Sequence, residues 1–392
     1  MQGSLCPTCQ NASLSIFFDR VGAPIHCNVL WSSRAAAVGA TRGDMRLGFC
    51  HYCGMIYNTV FDPDLMTYTE DYENSLHGSP RFQHYAASLA THLVETYDLH
   101  GKTIIEIGCG QGEFLTLLCK AGHNHGVGFD PGYHTDPGTA DDTSDMTFIR
   151  DEYSAAYLDY AADLICCRQV LEHIATPRTF LEHIRRATAQ RPTSAAFFEV
   201  PNVLYTLREG GIWDLLYEHC SYFSAPSLTR LFQETGFAVR DVYPVFDGQF
   251  LCLETTPMMA ADKRSTQASQ ELDQLARDVA VFGENYRHQI DMWHQKLSRL
   301  DQLGRRVVVW GAGTKGVMFL NTVKASEQVR YIVDINPRKQ AMYIAGTGQQ
   351  IVPPEFLQSY RPDVVLVMNP IYQDEIRACM TALGLSSKLI TV

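Results

Sequence analysis

The chain lacks any apolar run approaching the roughly 18 residues that a bilayer-spanning helix needs, so no transmembrane segment is expected. Its opening, MQGSLCPTCQ, has no basic stretch leading into an apolar core, so no signal peptide is read there. Basic residues are also in deficit: 32 Lys and Arg stand against 43 Asp and Glu, a net charge of −11. That balance disfavours polyanionic partners, and neither nucleic acid nor an anionic membrane is expected to bind. Disulfide staples are not expected either, because the twelve cysteines come without an export signal. Reduced thiols in a cytoplasmic protein, some of them holding a metal, are the expectation. What is present is ordinary globular material, 46% apolar and 19% charged over 392 residues, enough for two or three domains.

Four of the cysteines form two pairs, Cys6-Pro-Thr-Cys9 and Cys50-His-Tyr-Cys53. Each pair sets two thiolates on one tight turn, and two such turns complete a tetrahedron around Zn²⁺. Four thiolate ligands leave no open position, so the metal is expected to be structural. Cys27 lies between the pairs and is left outside the site.

The richest stretch is Gly101–Leu115, GKTIIEIGCGQGEFL, followed by GVGFDP at 126–131. An apolar run, Thr103–Ile107, ends in Gly108, Gly110 and Gly112. A periodic apolar helix is expected from Glu113, and a second apolar run ends in Asp130. Strand, glycine turn, helix and strand-with-acid make the nucleotide-binding half of a doubly wound α/β domain. The glycines let the backbone approach a ligand, and Asp130 can accept hydrogen bonds from ribose hydroxyls. Glu106 refines the choice of nucleotide. A carboxylate before the turn repels a pyrophosphate and suits a ligand carrying an ammonium and a sulfonium. The run E-x-G-C-G-x-G resembles motif I of class I S-adenosylmethionine-dependent methyltransferases. Pro131, Asp151, Gln169 and Ser75 complete the candidate cofactor contacts.

Acid–base groups gather further along. Asp163–Cys167 reads as a short buried strand leading into Arg168-Gln-Val-Leu-Glu-His-Ile174, where His173 has the near-neutral pKa that proton abstraction needs. After a strand at Ala195–Val200 comes Trp213–Ser224, dense in Tyr217, Glu218, His219 and Tyr222. A carboxylate beside an imidazole can fix its tautomer and raise its basicity. Ser224-Ala-Pro-Ser reads as the cap of a following helix. Residues 68–79, YTEDYENSLHGS, are polar, aromatic and without period, and are read as a lid with Tyr72 and Ser75 as its contacts.

The C-terminal third begins with a polar stretch, Asp262 to about Leu303, expected to form one or two helices. Strand Arg306–Trp310 then runs into a full GxGxxG at Gly311–Gly316, and a second strand ends in Asp334. Taken alone this is a dinucleotide fingerprint. A structural or substrate-clamping role and nucleotide binding both stay open. The diphosphate end of a substrate would suit the glycine turn, with Lys315 assisting.

The whole chain resembles the three-part sugar C-methyltransferases. The resemblance rests on the four cysteines, EIGCGQGEF, His173, Glu218-His219 before Tyr222-Phe223, and the C-terminal glycine motif. It implies an α/β fold: a zinc-binding module at 1–65, a class I methyltransferase Rossmann-like core at 66–256, a helical connector at 257–304 and a Rossmann-like domain at 305–392. It implies S-adenosyl-L-methionine as cofactor and a nucleotide-linked 4-keto-deoxysugar, or a related small metabolite, as acceptor. It further implies His219 as general base, with Glu218, Tyr217 and His173 around the reacting carbon. The enolate oxygen is expected to be stabilised by Tyr222 or Tyr72. Two departures stand out: Tyr217 is adjacent to the Glu-His pair instead of one residue removed, and Asp247-Gly-Gln-Phe250 replaces a Gly-Gly-Ser segment. N- or O-methylation of another small metabolite, a nicotinamide-dependent reaction at Gly311–Gly316, and a scaffold with an inactive core are the competing readings. A small-molecule acceptor is the expected partner, and a monomer is compatible with the sequence.

Overall fold

The computed structural model describes residues 5–66, 72–134, 145–191, 193–256 and 267–392. Three sheets follow one another along the chain. The first is antiparallel, Leu14–Pro24, Arg42–Cys50 and Ile56–Asn58, and it is completed from far away by Ser221–Tyr222. That last pairing, Ile56 with Tyr222 and Tyr57 with Ser221, draws the Glu218-His219 segment against the N-terminal module.

The second sheet has seven strands, in the order Ala238–Val245, Phe250–Thr256, Ala195–Pro201, Leu164–Arg168, Thr103–Ile107, His125–Phe129 and Met146–Ile149. The last five run parallel, whereas Phe250–Thr256 is antiparallel to its neighbour Ala195–Pro201. Parallel strands are covered on both faces, which is why Thr103–Ile107, Leu164–Arg168 and Ala195–Pro201 read as near-continuous apolar runs. Helices flank the sheet. Pro80–Tyr97 is capped by Ser79, whose side chain accepts from the Phe82 amide. Ser224 caps Ala225–Glu234 through a reciprocal capping box with Ser227, as the sequence indicated.

The third sheet is wholly parallel, in the order Gln350–Val352, Tyr331–Val333, Val307–Trp310, Val364–Val367 and Lys388–Thr391. In the seven-stranded and the five-stranded sheet alike the strand before the glycine turn lies where the winding reverses, which is where open α/β sheets bind ligands.

The polar stretch before the third sheet forms a single helix, Gln267–Gln302. The earlier residues of the expected connector, 257–266, lie outside the described residues. Leu275, Val279, Phe282, Trp293 and Leu297 form its buried stripe. Phe282 meets Phe17 and Phe18 of the first sheet at ring-centroid distances of 6.0 and 6.1 Å. Trp293 meets Phe319 of the C-terminal unit at 5.5 Å. One helix thereby ties the first sheet to the third.

Candidate active site

The first glycine turn is built for close approach. Gly108 and Gly112 take left-handed conformations, φ +70° and +86°. A Cβ on Gly108 would stand 2.1 Å from Val170, and one on Gly112 would stand 2.5 Å from Phe148. Only glycine satisfies both the conformation and the space. Asp130 closes the turn: its carboxylate accepts from the amides of Gly110 at 2.9 Å and Gly132 at 2.7 Å. Glu106, at the end of its strand, is buried, and its Oε2 has no hydrogen-bond partner. Burial pushes its carboxyl up to about 8. An orphaned buried acid at this point is the partner that an amino-acid ammonium would fill, so these residues fit S-adenosylmethionine.

Around that turn, Gln169 lines the cavity in a left-handed backbone conformation, φ 55°, and its amide donates to Glu199 at 3.1 Å. A non-glycine residue held there by the sheet is a strained position of the kind found at binding sites. Pro131 follows Asp130 and its carbonyl accepts from Arg150 at 3.3 Å. Asp151 is exposed and accepts from Tyr157 at 2.5 Å. Ser75 reaches the cofactor helix, donating to Glu113 at 3.1 Å.

A cavity of about 620 Å³ runs from Ser75 and Gln169 to the second glycine turn, and Glu106, Gly108, Gly110, Gly112 and Asp130 are not among the residues that line it. One end of it holds Tyr72, Glu172, His173, Leu216 and His219. The His173 and His219 rings lie 4.9 Å apart, edge to face. His173 Nδ1 donates to the Glu218 carbonyl at 2.9 Å. Burial holds the His173 imidazole down at about 4. Burial and the neighbouring His173 hold His219 well below its ordinary value. In both rings burial disfavours the protonated form.

Several of the expected roles shift in the structure. Glu218 does not face His219. Its carboxylate accepts from the Cys27 amide at 2.6 Å and from the Tyr72 hydroxyl at 2.5 Å. The acid that does cluster with His173 and His219 is Glu172: one ligand atom from each of the three lies within 4.8 Å of the others. Tyr217 lies outside the cavity lining. Its ring packs over Gly43, where a Cβ would come within 2.3 Å, and its hydroxyl accepts from the Asp62 amide at 3.0 Å. Tyr217 and Glu218 sit on a turn, and the neighbours on either side of it, Leu216 and His219, are the ones that line the cavity. Tyr222 is buried and donates to the Leu216 carbonyl at 3.0 Å. Residues 68–71 of the expected lid lie outside the described residues. From Tyr72 onward the segment is fastened to the C-terminal unit through Glu73–Arg338 at 3.1 Å and Ser79–Glu375 at 2.9 Å.

The far end of the cavity repeats the geometry of the first turn. Asp334 accepts from the Ala312 amide at 2.9 Å and the Asn336 amide at 2.8 Å, as Asp130 does from Gly110 and Gly132. Gly316 must lack a side chain, because a Cβ would meet the Gly311 carbonyl at 2.1 Å. Lys315 crosses to the methyltransferase unit, 2.6 Å from Gln249 and 3.3 Å from Asp214.

At the N-terminus the four sulfurs of Cys6, Cys9, Cys50 and Cys53 lie within 4.8 Å of one another. Cys6–Cys53 and Cys9–Cys50 are each 3.6 Å apart. Four thiolates about 2.3 Å from Zn²⁺ in a tetrahedron would be about 3.8 Å apart, so the donor set fits that ion.

Sequence reasoning had quoted Glu172 only as part of a motif, and had not found Asn28 or the Glu73–Arg338 clasp. A pattern of three adjacent residues, Leu-Glu-His, did mark Glu172. Nothing local marks Asn28, which reaches the cavity through long-range pairing.

Comparison with known proteins agrees with this architecture. Residues 81–242 match the family described as "Methyltransferase domain", and residues 258–390 match "C-methyltransferase C-terminal domain". C-methyltransferase NovU of Streptomyces niveus is 28% identical over 385 aligned residues, covering 90% of this chain and 86% of that protein. Among solved structures, 1,6-didemethyltoxoflavin-N1-methyltransferase of Burkholderia thailandensis is 16% identical, covering 44% of this chain and 79% of that one, with a TM-score of 0.35. Magnesium protoporphyrin IX methyltransferase of Synechocystis PCC 6803 is 16% identical, covering 45% and 84%, also with a TM-score of 0.35.

Proposed function

The chain belongs to the S-adenosylmethionine-dependent C-methyltransferases, and from that premise we propose that it methylates the carbon beside the ketone of a nucleotide-linked ketosugar. The observation that carries the reading is one cavity lined by His173 and His219 at one end and by a second, phosphate-compatible glycine turn at the other. A metabolite without a nucleotide would leave that second end unused.

In this reading Glu106 holds the cofactor's ammonium and Asp130 its ribose. Bound there, the sulfonium supplies an electrophilic methyl group. His219 takes the proton from the acceptor carbon, giving an enolate, and that carbon forms its bond to the methyl as the sulfur–methyl bond breaks. The proton leaves His219 to solvent. His173, fixed by the Glu218 carbonyl, supports the ring of His219. Alignment of carbon, methyl and sulfur supplies much of the acceleration. Glu218 positions Tyr72 and the Cys27 segment at the same end of the cavity.

At the far end Asp334 and the amides of Gly311–Gly316 hold the nucleoside and diphosphate of the acceptor. Lys315 serves as a strut between units, held by Gln249 and Asp214. Zinc at Cys6, Cys9, Cys50 and Cys53 is structural.

Mass spectrometry of nucleotide-ketosugars incubated with enzyme and S-adenosylmethionine tests the assignment. A gain of one methyl on carbon, lost in His219→Ala, is expected. Methylation on nitrogen or oxygen that survives His219→Ala would replace the reading with the competing one.

A further inference from the structure

An enolate needs a donor for its oxygen as well as a base for its proton, because removal of the proton places a full charge on that atom. The two hydroxyls that sequence nominates for this are already committed. Tyr222 gives its hydrogen to the Leu216 carbonyl at 3.0 Å. Tyr72 gives its hydrogen to Glu218 at 2.5 Å. The amide of Gln169 donates to Glu199.

One group at this end of the cavity has neither oxygen engaged. Glu172 is 1% exposed, both its carboxyl oxygens lack a hydrogen-bond partner, and it lines the cavity. We propose that Glu172 is the hydrogen-bond donor to the enolate oxygen, working beside His219; the proposal rests on His219 being the base. The geometry suits a ketone. Its oxygen and its acidic carbon are about two bonds apart, and donor and base must flank them with a spacing of a few ångströms, as Glu172 and His219 do at no more than 4.8 Å.

The surroundings keep the carboxyl in its donor form. Burial pushes Glu172 up to about 8, with Glu199 adding a like charge. The groups facing it are His173 on its own turn, Cys167 on the preceding strand, Glu199 on the neighbouring strand, and His219 and Cys220 from the segment opposite. None of these is a fixed cation, and burial disfavours the protonated form of the two histidines. Arg168, a buried cation on the preceding strand, is paired with Glu199 at 3.1 Å. A carboxylic acid kept neutral by an apolar site so that it can donate has precedent in enolising enzymes.

The sign of the pH dependence follows. The protonated form is the working form, so activity is held below pH 8 and lost as pH rises through about 8. Infrared difference spectra of wild type against Glu172→Gln, with no acceptor present, read the protonation directly. The neutral-carboxyl carbonyl stretch is expected at pH 7 and is expected to vanish in Glu172→Gln. A second arm uses a nucleoside-diphosphate 4-keto-deoxysugar. Glu172→Leu should lower kcat about 10²–10³-fold with KM little changed. Glu172→Gln, which keeps an N–H donor, should recover part of that loss and lack the alkaline fall. An ionised Glu172 at pH 7, or an unchanged kcat in Glu172→Leu, overturns the proposal. If instead His219→Ala retains full methylation, it is the base assignment that fails.

Discussion

Glu106 and His219 are the two side chains whose chemistry is most exposed to single substitutions. Glu106 is buried with an unpartnered oxygen, so the cofactor's ammonium is its natural partner. A charge-assisted hydrogen bond contributes about 1.5–3 kcal/mol, so Glu106→Gln should weaken S-adenosylmethionine binding by about ten- to a hundredfold in calorimetry. The fold should survive, because Gln is nearly isosteric. Replacing His219 by Ala should lower the methylation rate by about a hundredfold or more while leaving cofactor affinity unchanged. Tyr217→Phe offers a contrast. Its hydroxyl accepts from Asp62 outside the cavity, so melting temperature should fall and KM should not move. Residue types and spacing were enough to nominate the cofactor acids and both histidines. They could not tell which way Glu218 points, because the turn that carries it is placed by the pairing of Ser221–Tyr222 with Ile56 and Tyr57, partners far away in the chain.

At the scale of elements, glycine turns carry the argument. The turn after Thr103–Ile107 admits no Cβ at Gly108, where Val170 would be 2.1 Å away. Gly108→Ala should therefore abolish S-adenosylmethionine binding or the fold of the turn, with circular dichroism and calorimetry distinguishing the two. The strands on either side of each glycine turn were legible because buried runs bounded by glycine leave little choice of structure, whereas the edge strands Met146–Ile149, Gln350–Val352 and Lys388–Thr391 were not read. The connector was less so. Its polar composition allowed one helix or two, and the single helix at Gln267–Gln302 is decided by the stripe that Phe282 and Trp293 bury against two different sheets. The short strand Ser221–Tyr222 was invisible, since two residues carry no periodicity.

For the whole molecule, three units converge on one cavity, and the N-terminal module holds groups at one end of it. The Cys27 amide holds Glu218, and Asn28 donates to Tyr72 at 3.4 Å. Zinc removal should then reduce activity as well as stability. Cys50→Ser is expected to lose metal, measured by atomic emission, and to lower both melting temperature and kcat, since structural zinc is coupled to folding. The arrangement of the units was foreseeable only as an order along the chain. What joins them, Glu73 to Arg338, Lys315 to Asp214 and Phe282 to Phe18, depends on residues too distant in sequence to announce one another.

The most direct measurement is deuterium wash-in. A nucleoside-diphosphate 4-keto-deoxysugar is incubated with the enzyme and S-adenosylhomocysteine in D₂O, and exchange at the carbon beside the ketone is followed by NMR. Wild-type enzyme should exchange that hydrogen without any methyl transfer, and His219→Ala should not. Methylation of the carbon by wild type with no exchange, or exchange that persists undiminished in His219→Ala, would contradict the account.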